Sequence, residues 1–257
     1  STNRPTRGQG RKRMIKCVTF DLDDTLWAVD PVIHQANREL WGWLEQNVPL
    51  FAQSHALADL AEGSAMRQRL LQQEPEIAHS MTRVRLRLLE QGCRNAGYPA
   101  DQARQLAEAA FDVFIRARHQ VELFEHAQAM LEQLRLDGYV IGALSNGNAD
   151  VRETLIGNLF DFQYNADGVG SAKPHPGMFE KALEHTGLRP EQVVHIGDHP
   201  VNDVQAAREV GMWTVWVNLP GQLWPQPAKA DETVNCLSAI PAVVAQIGQR
   251  AGRRATL

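Results

Sequence analysis

Cysteine is scarce in this chain: Cys17, Cys93 and Cys236 are an odd number, far apart, in 257 residues. That excludes a disulfide framework and the clustered spacing of a zinc motif. No apolar run approaches the ~18 residues that a membrane-spanning helix needs. Neither sign of charge dominates, since 26 Lys and Arg against 30 Asp and Glu leave a net charge of -4. This gives no general electrostatic case for binding nucleic acid or a membrane surface. Internal repeats and low-complexity segments are also absent. The polar start lacks the apolar segment of a secretory signal. A cytoplasmic protein with reduced thiols is therefore expected.

What is present is an ordinary globular composition, 44% hydrophobic, with enough apolar residues for a full core. The length suits one large domain or two modest ones. Residues 1–13, with Arg4, Arg7, Arg11, Lys12 and Arg13, read as a mobile basic tail. The most informative stretch is Cys17 to Trp27, where a short, mostly apolar run ends in Asp21, Asp23 and Asp24. The run reads as a buried strand. Acids at its carboxyl end would sit where open α/β sheets bind ligands. Like charges this close call for a cation or a shared proton, and a hard divalent ion such as Mg²⁺ meets that need with oxygen ligands. Taken alone, the same acids also suit a helix cap and a turn.

Beyond Trp27 the pattern is helical. Helices are expected over 31–47, 55–73, 75–95 and 100–119, with no strand among them. From Phe124 helices and strands alternate. Strands are expected at 139–144, 162–165, 193–196 and 213–217. Helices are expected at 125–137, 150–159, 177–186, 201–210 and 240–250. The expected architecture is an α/β, Rossmann-like parallel sheet built from residues 14–28 and 121–257. An all-helical unit, residues 29–120, is inserted after the first strand. Such an insertion must hang over the carboxyl edge of the sheet as a lid.

Parallel strands bring four segments to one edge: Asp21-Leu22-Asp23-Asp24-Thr25, Ser145-Asn146, the Lys173 loop, and Gly197-Asp198 with Asp203 five residues on. In order and spacing this set resembles the four motifs of the haloacid dehalogenase superfamily of phosphatases. The inserted helices stand where that family carries its first type of cap. The resemblance implies Asp21 as a nucleophile that forms an aspartyl-phosphate. It implies Asp23 as general acid and then base. Ser145, the Asn146 backbone and Lys173 would hold the phosphoryl oxygens. Asp21, Asp198 and the Asp23 backbone carbonyl would bind Mg²⁺, and Asp203 would orient Lys173 or metal-bound water. His195, inside an apolar strand, reads as a satisfied core histidine, and His199 has no role in the motif.

The lid would choose the substrate. His79, Arg83 and Arg87 fall at i, i+4 and i+8, one helical face. They form either a substrate-facing cationic stripe or a solvated face partnered by Glu76 and Glu90. This stretch, with Ser145 to Ala149, resembles the bacterial cap-bearing phosphatases of flavin mononucleotide and 5-amino-6-(5-phospho-D-ribitylamino)uracil. The resemblance implies a small phosphorylated metabolite as partner, with Trp27, His79, Arg83 and Asn148 on the substrate. Other sugar or nucleotide phosphates are the alternative. A dehalogenase of the same superfamily needs no acid at the position of Asp23. Receiver domains, which also phosphorylate an aspartate, lack the helical insertion. A non-catalytic phosphometabolite-binding scaffold has no need of the acid pair.

Overall fold

A computed structural model of the chain describes residues 13–224 and 229–257. Apart from Arg13, the basic tail expected at 1–13 lies outside the described residues. Strand β1, Cys17–Phe20, is buried along its whole length. Apolar and β-branched residues suit it to the middle of a sheet with both faces covered. The chain then leaves the sheet for five helices: α1 (Val29–Asn47), α2 (Pro49–Ser54), α3 (Ala65–Gln73), α4 (Met81–Asn95) and α5 (Ala100–Arg118). It returns through α6 (Ala127–Leu136), β2 (Val140–Ser145), β3 (Phe162–Asn165), the short α7 (Ala166–Val169) and α8 (Gly177–Thr186). Strand β4 (Val193–Gly197), a π-helical turn (Pro200–Gln205), α9 (Ala206–Val210), β5 (Trp213–Val217), β6 (Glu232–Val234) and α10 (Ile240–Arg254) complete it.

The six strands pair in the order β3-β2-β1-β4-β5-β6, every pair parallel. Chain order reverses direction across β1, so the crevice beside β1 and β4 is the place where such sheets bind ligands. One face of the sheet packs Val18, Phe20, Ile141 and Ile196 against α6 and α10. The other packs Leu144 and Cys17 against Met178 and Phe179 of α8 and Ala207 of α9. Burial pushes the Cys17 thiol up to about 12, with the Asp161 charge adding to the rise, so it is an inert core group.

The inserted helices carry cores of their own. Leu40 and Leu44 of α1 meet Leu89 of α4 and Ala107 and Phe114 of α5, while Leu70, Ile77, Val84 and Leu88 form a smaller cluster. The segments entering and leaving this unit lie side by side: Trp27 bridges Leu123, and Phe124 N–H donates to the Leu26 carbonyl at 2.8 Å. On the far side, Ser80 and Thr82 at the start of α4 each donate to the Asp167 carboxylate of α7 at 2.6 Å. No described helix is long and apolar enough to cross a membrane.

Several boundaries differ from the sequence-based expectation, each for a local reason. The helix expected over 55–73 is broken at Gly63-Ser64, where the Ser64 hydroxyl accepts from Arg67 N–H and starts α3 afresh. The helix expected from Pro75 begins only at Met81, because Ser80 caps it through Arg83 N–H. Residues 150–159 form two 3₁₀ turns in place of a helix, with Asp150 capping the first. Strand β6 was not expected. It is a three-residue edge strand, too short to show an alternation.

Candidate active site

The acids after β1 diverge. Asp21 stays in line with the strand, its N–H donating to the Ile196 carbonyl at 2.9 Å. Its carboxylate is buried between β1 and β4. Lys173 Nζ donates to Asp21 Oδ1 at 3.1 Å and to Asp203 Oδ1 at 2.6 Å. The Thr25 hydroxyl lies 3.1 Å from Asp21 Oδ2 and 3.0 Å from Asp198 Oδ1. It has one proton to share between them. Carboxylate oxygens of Asp21, Asp198 and Asp203 all lie within 4.8 Å of one another.

Asp203 is the committed member of this cluster. His195 Nε2 sits 2.9 Å from the same Oδ1, and His199 N–H donates to Oδ2 at 3.1 Å. Burial works against its charge, but Lys173 and His195 outweigh burial and hold the carboxyl well below the usual range. Burial likewise opposes the charge on Lys173, yet Asp203 and Asp21 keep it firmly protonated. Burial lowers His195 below its ordinary value, against the pull of Asp203, and its Nδ1 lies 2.8 Å from the Thr19 hydroxyl. Gly197 fits because the Asp203 side chain occupies the space a Cβ would fill.

That leaves Asp21 and Asp198 short of positive charge. Burial, then the Asp203 charge, raises Asp21 well above the ordinary carboxylate value despite Lys173. Burial raises Asp198 too. An under-neutralised, all-oxygen cluster fits a hard divalent cation. Asp21 Oδ2 and the Asp198 carboxylate are the oxygens that could hold it, since Lys173 engages Asp21 only through Oδ1, and Lys173 and His195 together engage Asp203.

Asp23 turns the other way. Trp27 Nε1 donates to its Oδ1 at 2.8 Å. Arg118 Nη2 reaches Oδ1 at 2.7 Å and Oδ2 at 2.6 Å. Ser145 is buried at the end of β2, its Oγ accepting from Gly147 N–H at 3.0 Å. Gly147 packs so closely on Asp23 that a Cβ there would strike the carboxylate. The Asn146 side chain ties down the Lys173 loop: its Nδ2 donates to the Lys173 carbonyl at 2.9 Å and its Oδ1 accepts from Lys173 N–H at 2.7 Å. Asp24 adopts a left-handed φ of 63° and caps α1 through Val29 N–H at 2.9 Å. It is thus a turn residue at the base of the helical unit.

The structure therefore gathers Asp21, Asp23, Ser145, Asn146, Lys173, Asp198 and Asp203 at one edge. The lid residues come out differently. A cavity of about 260 Å³ lies between Asp23, Asn146 and Asn148 on the sheet side and Arg67, Arg85 and Arg118 on the helical side. Of the four residues expected on the substrate, Asn148 lines it, whereas His79, Arg83 and Trp27 do not. Starting α4 at Met81 leaves His79 before the helix. Arg83 is exposed, and Arg87 is engaged by Glu74 and Glu90. The expected cationic stripe is thus the solvated face of α4. Trp27 is fully buried and serves Asp23 rather than a substrate ring.

Arg118 is the residue that sequence reasoning passed over. It is 1% exposed. A signal for it existed. Ala103, Ala107, Ala110, Phe114 and Ala117 form the buried stripe of α5, and Arg118 stands on that stripe four residues after Phe114. A charge on an apolar face asks for a partner.

Comparison with known proteins agrees with this geometry. Residues 15–211 match the family model described as haloacid dehalogenase-like hydrolase. The chain is 33% identical to 5-amino-6-(5-phospho-D-ribitylamino)uracil phosphatase YigB of Escherichia coli (strain K12), over 79% of this chain and 83% of that one. It is 36% identical to a phosphoserine phosphatase of Thermus thermophilus, over 52% of this chain and 54% of the other. Among solved structures, a 2-haloacid dehalogenase from Pseudomonas syringae pv. Tomato DC3000 superposes with a TM-score of 0.84 at 38% identity, covering 90% of this chain and 99% of that one. The chain belongs to the haloacid dehalogenase-like hydrolases.

Proposed function

With that membership as the premise, we propose that the protein is a Mg²⁺-dependent phosphatase of a small phosphorylated metabolite, working through an aspartyl-phosphate. The observation that carries the reading is the division of the first two acids. Asp21 faces Lys173 and the acidic cluster, while Asp23, two residues on, faces the cavity and Arg118. This supports a reading in which one acid attacks and the other moves protons.

Asp21 Oδ attacks the phosphorus as the bond to the leaving oxygen breaks. Asp23 delivers a proton to that oxygen. Asp23 then takes a proton from water, which attacks the phosphorus, frees Asp21 and leaves inorganic phosphate. Lys173, the Ser145 hydroxyl and the backbone at Asn146 would neutralise the equatorial oxygens during both transfers. Mg²⁺ held by Asp21, Asp198 and the Asp23 backbone carbonyl would neutralise the clustered acids and the incoming phosphoryl group. The network of Asp203 and His195 fixes the Lys173 ammonium against Asp21.

Flavin mononucleotide or 5-amino-6-(5-phospho-D-ribitylamino)uracil is the substrate we infer, supported by likeness to YigB over most of both chains. The dehalogenase structure at 38% identity favours a second reading, displacement of halide by Asp21. The second acid, Asp23, on the cavity wall argues for the phosphatase, because halide leaves without a proton and needs no general acid. The test is a panel of phosphate esters and 2-haloacids with purified protein in Mg²⁺. Phosphate release, led by the flavin and ribitylaminouracil esters, is expected. Halide release without any phosphate release would overturn the reading.

A further inference from the structure

The helical wall of the cavity carries charge that the described residues answer only in part. Five charged side chains line the cavity: Asp23, Glu62, Arg67, Arg85 and Arg118. Three positive charges against two negative ones leave a surplus of one. Arg118 spends Nη2 on Asp23, and its Nη1 is buried without a hydrogen-bond partner among the described residues. A buried, unpaired guanidinium N–H is expensive unless a ligand completes it. Arg85 gives Nη1 to Asn37 Oδ1 at 2.9 Å, and its guanidinium lies 3.6 Å over the Phe114 ring. Burial, with repulsion from Arg67 and Arg118, pulls Arg85 down to about 9. Among the described residues the Arg67 side chain reaches only the Glu62 carbonyl at 3.4 Å and the Met81 sulfur at 3.7 Å. Between these cations the wall is apolar, with Ile33, Leu60, Val84 and Leu88.

We propose that Arg118 Nη1, Arg85 and Arg67 form the recognition site for the leaving group, which is a largely apolar body edged with electron-rich carbonyl or carboxylate oxygens. This deepens the phosphatase reading and rests on it. Apolar walls take the body, and the arginines take the oxygens, as charge-assisted bonds do best away from water. Arg118 is shared between this edge and the carboxylate that protonates the leaving oxygen.

The experiment compares kcat/KM for three esters: flavin mononucleotide, 4-carboxyphenyl phosphate and phenyl phosphate, the last lacking an acceptor edge. Arg67→Met and Arg85→Met are expected to lower the value for an acceptor-bearing ester about tenfold more than for phenyl phosphate. Arg85→Lys should recover part of the loss, which a merely misfolded variant would not. Selective loss of the flavin ester identifies ring carbonyls, and selective loss of the carboxyphenyl ester identifies a carboxylate. Equal losses across the three esters, or none, overturn the proposal. If the wild type hydrolyses no ester, the phosphatase reading fails by itself. Quenching of flavin mononucleotide fluorescence by Asp21→Asn, with and without Arg85→Met, then decides the pocket. Weaker binding in the double variant upholds it, and equal binding or none overturns it.

Discussion

The two walls of the site are opposite in charge and in how they are built. The sheet wall crowds Asp21, Asp198 and Asp203 around one lysine, and burial pushes Asp21 and Asp198 toward the neutral form. The helical wall crowds Arg67, Arg85 and Arg118 against two acids, and burial pushes Arg85 the same way. Each wall is held short of its counter-charge. In the proposed reaction a metal-bound phosphoryl group would answer one wall and an electron-rich leaving group the other. On the proposed reading a phosphate ester bridging them would relieve both, and the site is organised for a ligand with two distinct ends.

The comparison breaks first at Asp21. Asp21→Asn should cut turnover by about 10³-fold or more while circular dichroism and thermal unfolding keep a folded protein. Substantial remaining activity would remove Asp21 as nucleophile. Next comes Asp203. Replacing it by Asn leaves Lys173 without its closest buried partner, which should cost ~3 kcal/mol of stability by denaturant titration. The sign with pH follows from its lowered value. Its contribution is present above the unfolded value near 3.9 and is lost as pH falls below it. Asp203→Asn should therefore flatten the acid limb of the stability curve.

A smaller effect tests the metal. Asp21 and Asp198 are raised, so the folded state holds their protons more tightly than the unfolded chain does. Without a cation they weaken the fold near neutrality, and that penalty fades as pH falls through their raised values. Mg²⁺ at 100 times its dissociation constant should raise stability by about 2.7 kcal/mol near pH 7, and by less in acid. No thermal shift with Mg²⁺ would count against the site. The smallest effect concerns the outer face of α4. Arg83→Ala should leave the ranking of substrates unchanged, and a reordering would restore that face as the substrate face.

The same contrast explains what could be read from the chain. Strand ends in a parallel sheet all lie on one edge, so Asp21, Ser145, Lys173 and Asp198 could be brought together from order and spacing alone. The inserted helical unit was legible as a lid for a similar reason, since β1 precedes it and β2 follows it. Its inner surface was not legible. Helical periodicity tells which face is apolar, but not where a serine cap resets the phase, and Ser80 moved the start of α4 past His79. Nor does periodicity reveal which neighbour a buried charge meets. Arg118 pairs with Asp23, 95 residues away, a contact that exists only once the helical unit has folded back over the sheet. The short β6 and the 3₁₀ turns at 151–159 depend on their surroundings in the same way.

The adjacency of Trp27 and Leu123 reaches beyond catalysis. An insertion whose entrance and exit lie side by side adds almost no loop-closure penalty to the fold that hosts it. This one also carries cores of its own. It can be lengthened, shortened or replaced between those two residues without redrawing the sheet. New specificities could be tried in the helices while the strand ends stay as they are, provided that Arg118, which holds Asp23, is kept.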